Sequence, residues 1–407
     1  MNSSRATPTG LSVQQVLLCG ALIVTMSMGI RHGFGFWLQP IITKRGWTRE
    51  TFSFAMAVQN LAWGLAGPIA GMLADRFGAW KVLIGGGLAY ASGLLLMAST
   101  SHPLSFTLGA GVLIGIAQSG STYAVIYGVL GRTVSPEKRS WAFGVAAAAG
   151  SFGQFVMIPV ETWLISHLGW QGALYLLAGA ALLILPLALG VRERQATAFA
   201  GAHQSIGQAL REAFGYRSFQ LLMLGYFVCG FQVVFIGVHL PSYLKDHGLG
   251  IGVSTGALML IGLFNIFGTF AAGLLGQRFP KRYLLSAIYG LRAVVIGIFI
   301  TTPLSPLSVY VFAAVMGFLW LSTVPPTNAV VAQIFGPQHL SMLGGFVFLS
   351  HQVGSFLGVW LGGKLYDATG SYDAVWWLAI ALGVMAMLAN LPVRETAIPR
   401  AARPQPA

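Results

Sequence analysis

Long apolar stretches, separated by short polar breaks, follow one another along all 407 residues of the chain. A helix needs about 20 apolar residues to cross the hydrocarbon layer of a bilayer, and these stretches have about that length or more. Segments of about ten alternating apolar and polar residues, which are typical of membrane β-barrels, do not occur. Because a backbone in lipid must satisfy its own hydrogen bonds, the pattern predicts transmembrane helices. The twelve predicted spans are 13–40, 50–73, 80–99, 104–131, 139–166, 170–190, 217–244, 252–276, 282–301, 306–332, 340–366 and 373–392.

Composition excludes an ordinary soluble domain. Hydrophobic residues make up 56% of the chain and charged residues 8%, whereas soluble domains carry about 25% charged residues. The two cysteines, Cys19 and Cys229, both lie in apolar stretches, so neither a disulfide framework nor a thiol metal site is expected. The predicted fold class is therefore an all-α membrane protein with twelve transmembrane helices.

The basic residues predict how the chain is oriented in the membrane. With the amino terminus inside the cell, sixteen of the 23 Lys and Arg residues fall on the interior side, five on the exterior side and two within spans. Cytoplasmic connections carry the excess of Lys and Arg, so both termini are predicted to be cytoplasmic and the location to be the cell (inner) membrane. The scatter over six short connections also explains the formal net charge of +13 without nucleic acid as a partner.

The longest polar connection follows the sixth span and separates two sets of six spans that are alike. Residues 71–81 match 273–282 at an offset of 202, and residues 140–153 match 341–354 at an offset of 201. Two six-helix halves that rock against each other around a central site are the physical form of an alternating-access carrier. The predicted organisation is a first half at 1–190, a cytoplasmic linker at 191–216, a second half at 217–393 and a cytoplasmic tail at 394–407.

One motif after the second span has the pattern Gly71-x-x-x-Asp75-Arg76-x-Gly78. It resembles the loop between helices 2 and 3 of the major facilitator superfamily, and a second copy containing Arg278 lies where that superfamily repeats it. The resemblance implies the major facilitator fold and a cytoplasmic gate formed by these five residues, in which the acid lies near helix amino termini and holds the halves together in one state. A solvated turn, the alternative, explains Arg76 but not the glycine spacing.

Two further motifs resemble the monocarboxylate transporter family, and its bacterial members above all. Residues 138–153 are similar to the helix 5 signature of that family, and residues 363–372 to its loop between helices 11 and 12. Animal members carry Asp and Arg one turn apart in helix 8, and the resemblance puts Asn265 and Thr269 at those positions. The usual carboxylate-binding arginine is therefore missing from its place, although Asn265 stays a candidate for binding substrate.

Two arginines, Arg31 and Arg292, are predicted within spans, where a charge costs roughly 2.5 to 3.5 kcal/mol even on lenient insertion scales. Helices 1, 4, 7 and 10 line the cavity of the superfamily fold, so the resemblance places Arg31, followed by His32, against the solute. A guanidinium there would pair a carboxylate through two hydrogen bonds; an arginine that extends to the outer membrane surface is the alternative. Arg292 lies about 15 Å deep in span 9, and a substrate contact and a structural bond to backbone carbonyls or Asn265 both stay open.

The remaining polar residues within spans favour an anionic solute. Acidic residues lie at span ends or in connections, with Glu161 near the outer end of span 5 the nearest to being buried, whereas a carrier of cations is expected to hold a buried carboxylate. For proton coupling the candidates are His239 and His351, because histidine titrates near neutral pH; a hydrogen bond in packing is the alternative for each. Tyr123 on span 4 and Asn328 on span 10 are further candidates for binding the solute.

These features predict a secondary carrier of a small organic anion of the monocarboxylate class, with proton coupling as an additional hypothesis. An exporter of neutral or cationic compounds from the same superfamily is one alternative, and a non-transporting membrane sensor is another. No nucleotide-binding loop, metal cluster or nucleophile–base pair is readable in the sequence, so we expect neither an enzyme nor a cofactor. The expected partners are the anion, protons and the lipid bilayer, and the expected state is a monomer.

Overall fold

The computed structural model describes residues 12–134, 139–192, 205–336 and 340–398, and within these ranges every regular element is a helix. Spans 1 to 6 comprise Val13–His32 with Phe34–Arg45, Arg49–Phe77, Ala79–Ser99, Pro103–Phe106 with Thr107–Leu113, Ile114–Ser121 and Tyr123–Thr133, and finally Arg139–Ala181 with Ile184–Leu189, which holds both span 5 and span 6. Spans 7 to 12 comprise Arg217–Asp246, Ile251–Arg278, Lys281–Thr301, Pro306–Leu319 with Val324–Phe335, Leu340–Thr369 and Asp373–Asn390. The end of the bundle where span 1 connects to span 2, and span 7 to span 8, is called the outer end, because the charge distribution predicts it to be exterior.

Ten helical stretches of the described chain are long and apolar enough to cross a membrane, and two features reconcile that number with twelve spans. Spans 5 and 6 form one stretch, Ala142–Leu189, because the turn between them is a single residue, Gly169, with φ 68° and ψ 166°. Span 2, with 29 residues, is long enough, but Gln59 and Asn60 at its centre make it less apolar than the others. The prediction of an all-α membrane protein is confirmed.

Part of the predicted linker is helical. The helix Ile206–Gly215 begins at Ser205, whose side chain accepts a hydrogen bond from the backbone N–H of Gln208 while the Gln208 side chain bonds back to the backbone of Ser205. This reciprocal cap satisfies two of the amide groups that a helix start leaves unpaired. Residues 193–204 of the predicted linker and 399–407 of the predicted tail lie outside the described residues.

Three spans are interrupted near their middle. Span 1 breaks at Gly33, span 4 at Thr122 (φ −122°, ψ −154°), and span 10 between Leu319 and Val324. A break in a transmembrane helix frees backbone groups, which must then be bonded by side chains of neighbouring helices or by a water-filled cavity. The breaks in spans 1 and 10 accordingly lie beside the site described below.

The internal repeat in the sequence corresponds to a repeated packing of helices: span 5 crosses span 1 as span 11 crosses span 7. Gly153 of span 5 lies on the backbone of Thr25 in span 1, and Gly354 of span 11 lies on the backbone of Phe227 in span 7. A Cβ at either glycine would overlap that backbone, as expected where helices approach closely in lipid. The glycines are 201 positions apart and their partners 202, so the offset found in the sequence relates two equivalent crossings.

The two halves meet along three pairs of spans: span 2 packs on span 11, span 5 on span 8, and the second helix of span 1 on span 7. At the third contact, Gly35 lies against the backbone carbonyl groups of Gly237 and Val238. The close approach narrows the space between the halves in the middle of the bundle.

Candidate functional site

A cavity of about 30 Å³ lies between the halves in the middle of the bundle. Because one water needs roughly 10 to 15 Å³ by this measure, the cavity has room for about two to three water molecules. Span 1 contributes Arg31 and His32, span 10 contributes Trp320, and the rest of the lining comes from spans 1, 2 and 7, namely Phe34, Gly35, Met56, Gln59, Asn60, Val233, Val234, Gly237 and Val238. The wall is therefore largely apolar, with its polar groups at spans 1, 2 and 10.

Arg31 faces this cavity and is held by the side chains of span 2. Its Nη2 donates to Oδ1 of Asn60 at 2.6 Å, and its Cζ lies 4.8 Å above the ring of Trp63. Asn60 is itself fixed, because its Nδ2 donates to the carbonyl of Met56 at 2.8 Å. Arg31 therefore points neither to the membrane surface nor into a cage of peptide oxygens, and its partners Asn60 and Trp63 are neutral.

Two N–H donors beside the cavity have no hydrogen-bond partner. One is Nε of Arg31 and the other is the indole Nε1 of Trp320, and both atoms are buried. An unpaired buried donor costs about 1–3 kcal/mol. Since Arg31 belongs to the first half and Trp320 to the second, an acceptor placed between them would join the halves.

His32 has a defined tautomer. Its Nδ1 lies 2.6 Å from the carbonyl oxygen of Met28, which can only accept, so Nδ1 carries the proton and donates it. The remaining nitrogen, Nε2, is left as an acceptor on a side chain that lines the cavity. Arg31 and His32 are thus the two predicted residues that the structure brings together at the cavity.

Arg292 is fully buried at 0% exposure and does not line the cavity. Its Nε and Nη2 donate to the carbonyl of Leu319 at 3.1 and 2.6 Å, Nη2 also donates to the carbonyl of Trp320, and Nη1 donates to Oε1 of Gln232 at 3.4 Å. These carbonyl groups are the ones freed by the break in span 10. The sequence left open a substrate contact and a structural bond to backbone carbonyls. The contacts of Arg292 are of the second kind, and its bond to the carbonyl of Trp320 positions that residue.

The other predicted substrate residues do not line the cavity. Asn265 is buried and bonded at both ends of its amide: its Nδ2 donates to Oγ of Ser151 at 2.9 Å, and its Oδ1 accepts from the amide of Leu321 at 3.0 Å. It therefore joins span 5 of one half to spans 8 and 10 of the other. Tyr123 packs on Tyr127 with ring centroids 5.6 Å apart, and Asn328 is exposed, where its Nδ2 bonds the carbonyl one turn back.

The two candidate proton-coupling histidines are both buried and both bonded. The Nδ1 of His351 lies 3.1 Å from Oε1 of Gln352, and its ring stacks on Phe348. Nε2 of His239 donates to the carbonyl of Val359 at 2.9 Å, and its Nδ1 lies 3.1 Å from the hydroxyl of Tyr372. Neither histidine lines the cavity.

The predicted cytoplasmic gate is described in part. Gly78 has φ 94°, a conformation that favours glycine, and its N–H caps span 2 at the carbonyl of Ala74. Arg76 and Arg278 are exposed, and Gly71 has open space where a side chain would project. The side chain of Asp75 lies outside the described residues, so the gate stays a prediction.

The outer end is closed by a network around the start of span 2, which the sequence did not reveal. Arg49 donates through Nη2 to Oδ1 of Asp246 at 2.8 Å and through Nη1 to the hydroxyl of Tyr372 at 2.7 Å. The carboxylate of Asp367 accepts from the backbone amides of Arg49 and Glu50 at 3.2 and 2.6 Å. An acid at a helix amino terminus is favourable, and here the helix and the acid belong to different halves. We call these five residues the outer latch.

Tyr372 is the branching point of the outer latch. Burial raises the pKa of its phenol, with Arg49 opposing the shift, so the hydroxyl stays protonated. Since that oxygen accepts from Arg49, its own proton is free for Nδ1 of His239, whose Nε2 proton is already donated to Val359. In this closed arrangement His239 is therefore neutral and connects span 7 to span 12.

Glu161 corrects one expectation from the sequence. Its side chain is 0% exposed, Oε2 accepts from the indole N–H of Trp37 at 2.9 Å, and Oε1 is buried without a partner. The expectation that Glu161 is only near to being buried is therefore wrong, because its side chain is fully enclosed. Position along span 5 placed Glu161 near a helix end, but its burial results from close packing on the break in span 1.

The fold and site together define a helical membrane transporter with two six-helix halves around a central cavity. The model of the Major Facilitator Superfamily matches residues 17–329. The chain belongs to this superfamily, as the motif around Gly71 predicted.

Comparisons with individual proteins agree with this assignment. The chain is 28% identical over 334 residues to monocarboxylate transporter 13 of Rattus norvegicus, covering 79% of this chain and 74% of that one. It is 22% identical over 406 residues to the oxalate:formate antiporter of Oxalobacter formigenes, covering 95% and 92%. A bacterial homologue of the human lysosomal transporter Spinster, solved in an inward-facing conformation, matches with a TM-score of 0.72 at 16% identity, covering 93% of this chain and 94% of that one. That likeness bears on the fold alone.

Proposed function

We propose that this transporter is a secondary carrier of small organic anions of the monocarboxylate class, and that it works by alternating access. The observation that carries the proposal is the pair of unpartnered donors beside the cavity, Nε of Arg31 and Nε1 of Trp320. A carboxylate has two acceptor oxygens and would accept from both. The names of two relatives, a monocarboxylate transporter and an oxalate:formate antiporter, support an organic anion as cargo.

Arg31 gives the anion a role in closing the halves. Among the described residues no carboxylate lies within ion-pair distance of its guanidinium. Closing the halves on a lone cation is costly, because burial removes water that no counter-charge replaces. A bound carboxylate neutralises the guanidinium, so the loaded site closes at lower cost than the empty one. Because of this difference in free energy, the halves close more readily with the anion bound than without it.

We further propose that the termini are cytoplasmic, that the membrane is the cell (inner) membrane, and that the anion enters with a proton. An anion that enters a cell with a negative interior works against about 2.3 kcal/mol per charge for each 100 mV. Entry with one proton carries no net charge and removes this cost. An inward proton gradient would then drive accumulation.

Uptake by purified protein in proteoliposomes tests the proposal. Labelled lactate, pyruvate, oxalate and larger acids are compared with and without an acidic exterior, using wild type, Arg31→Ala and the surface control Arg217→Ala. Saturable uptake of one or more acids, lost in Arg31→Ala and kept in Arg217→Ala, is expected. Uptake of acids that Arg31→Ala leaves unchanged would refute the assignment of Arg31.

The buried carboxylate of Glu161 is the observation that favours the alternative, a carrier of cationic or neutral compounds. Glu161 does not line the cavity, however, whereas Arg31 does. Uptake of organic cations but not acids in the same assay would support that alternative. Absence of uptake of any compound by folded protein would favour a non-transporting sensor.

A further inference from the structure

Glu161 lies at a close contact between spans 1 and 5. Its carboxylate faces Gly33, the residue at which span 1 breaks, and a Cβ at that position would overlap the carboxylate. The indole N–H of Trp37, one turn further along span 1, donates to Oε2. The carboxyl group is therefore enclosed by the backbone and side chains of span 1, with no exposed surface.

This environment does not compensate a negative charge. Oε1 is buried without a hydrogen-bond partner, and no Lys, Arg or His among the described residues lies within ion-pair distance of Glu161. On span 3 the neighbouring titratable group is Tyr90, and its hydroxyl donates to the carbonyl of Ser27 at 3.0 Å. On span 1, Arg31 bonds Asn60 and lines the cavity, and His32 bonds the carbonyl of Met28.

A carboxyl group in this environment is stable when it is protonated and therefore neutral. An ionised carboxylate that is buried with a single neutral donor loses its hydration without a compensating charge. A protonated carboxyl keeps the bond from the Trp37 indole at Oε2 and carries a hydrogen on Oε1 in place of a charge. Among the described carboxyl and imidazole groups, Glu161 is the one with a buried atom that lacks a partner.

Span 1 links this carboxyl to the substrate site. Arg31 faces the cavity and Gly33, two residues later, faces Glu161. The helix that follows the break, Phe34–Arg45, packs on span 7 of the opposite half through Gly35. Ionising Glu161 requires water at its carboxylate, and water can enter when Phe34–Arg45 separates from span 5.

We propose that Glu161 is the proton-binding site through which this carrier couples anion movement to protons. The inference rests on the proposed function as an anion carrier. While the site is open at the outer end and hydrated, an O–H bond forms at Oε1 with a proton from a hydronium ion, which is left as water. The halves close with Glu161 neutral and Arg31 paired with the anion. After the opposite end opens, the O–H bond breaks, the proton passes to water and the carboxylate is hydrated.

The variant Glu161→Gln tests the proposal, because it keeps the size of the side chain and an oxygen that accepts from Trp37 but cannot release a proton. Two modes of transport are compared in proteoliposomes: accumulation driven by an acidic exterior, and exchange of labelled for unlabelled anion at equal pH. With one proton per anion, a pH difference of one unit supports about tenfold accumulation. We expect Glu161→Gln to keep exchange and to lose this accumulation, together with anion-induced proton uptake into the vesicles.

A matched control and a second variant protect the test. Asp373→Asn removes an exposed carboxylate at the outer end and should leave both modes unchanged. If Glu161→Gln does not fold, Trp37→Phe removes the N–H donor to Oε2 and keeps an aromatic ring at this position. Because that donor stabilises the ionised form, Trp37→Phe should move the alkaline limb of the pH profile for accumulation to higher pH while exchange continues.

The outcomes separate this inference from the function on which it rests. Proton-driven accumulation by Glu161→Gln at the wild-type level, or an unshifted pH profile in Trp37→Phe, would overturn Glu161 as the proton site. Wild-type exchange of anions without any response to a pH difference would also overturn it while leaving the anion carrier in place. Failure of wild type to move any anion would instead refute the proposed function.

Discussion

Replacing Asn60 by aspartate should inhibit the carrier by giving Arg31 an internal counter-ion. Oδ1 of Asn60 lies 2.6 Å from Nη2 of Arg31, so the carboxylate of Asn60→Asp would form a close ion pair without moving the backbone. The anionic substrate would then have to compete with a charge that is permanently present. The variant changes neither the size of the side chain nor the cavity.

The magnitude follows from the burial of this pair. Breaking a fully buried ion pair costs about 3–5 kcal/mol, but Arg31 is only partly buried, so we discount the cost to about 1.5–3 kcal/mol for this site. Each 1.4 kcal/mol corresponds to about a tenfold change in affinity, so the KM for the anion should rise roughly 10- to 100-fold.

Initial rates of labelled anion uptake into proteoliposomes measure this effect. The control is Asn60→Ser, which removes the carboxamide group but introduces no charge. Its KM for the anion should stay within a few-fold of the wild-type value. Equal KM values for Asn60→Asp and Asn60→Ser would refute the reasoning, because a neighbouring negative charge would then not compete with the substrate.

Three other variants test separate parts of the structure. Arg49→Ala removes the 2.8 Å ion pair with Asp246 and should populate the state open at the outer end. The buried reporter Ser53→Cys should then react faster with a membrane-impermeant maleimide, and an unchanged rate would contradict the outer latch. Arg292→Ala leaves buried carbonyl groups unpaired at about 1–3 kcal/mol each, so the melting temperature in detergent should fall; normal stability with selective loss of anion binding would point to a substrate contact instead. Trp320→Phe removes one unpartnered donor but keeps an aromatic ring, and should raise KM about three- to tenfold. An unchanged KM would exclude that donor from the site.

The fold was predictable because it depends on patterns that repeat along the chain. Apolar stretches of spanning length give the number of helices, and the offset between Gly153 and Gly354 marks two equivalent crossings. The break at Gly33 was not predicted, because the apolar stretch continues on both sides of Arg31 and His32, and the φ and ψ of Gly33 lie near ordinary helical values. The interruption arises from packing against Glu161 and span 7, which a local pattern does not contain.

The site was predictable in its central residue and not in its partners. The depth of Arg31 in an apolar span indicated a functional charge, since such a charge is costly. Its partner Asn60 lies on another helix, and which face of span 2 turns toward span 1 is decided by packing. Trp320 gave no signal, because tryptophan in an apolar span is unremarkable until its N–H is found without a partner.

The outer latch shows the same limit at greater sequence distance. Arg49 bonds Asp246, 197 positions away, and its amide bonds Asp367, 318 positions away. Each residue lies at a span end, where charged residues are expected in any membrane protein. Their pairing depends on how the two halves close, so composition and spacing carry no trace of it.

Equilibrium binding measures most directly whether Arg31 holds a carboxylate in the cavity between the halves. Purified protein in detergent is titrated with a labelled monocarboxylate and, for comparison, with the uncharged amide of the same acid, using wild type, Arg31→Ala and Arg31→Lys. Wild type should bind the acid and not the amide, Arg31→Ala should lose at least about tenfold in affinity, and Arg31→Lys should fall between them because it keeps the charge but not the guanidinium N–H donors. Equal binding of acid and amide by wild type, or undiminished binding of the acid by folded Arg31→Ala, would contradict the proposed role of Arg31.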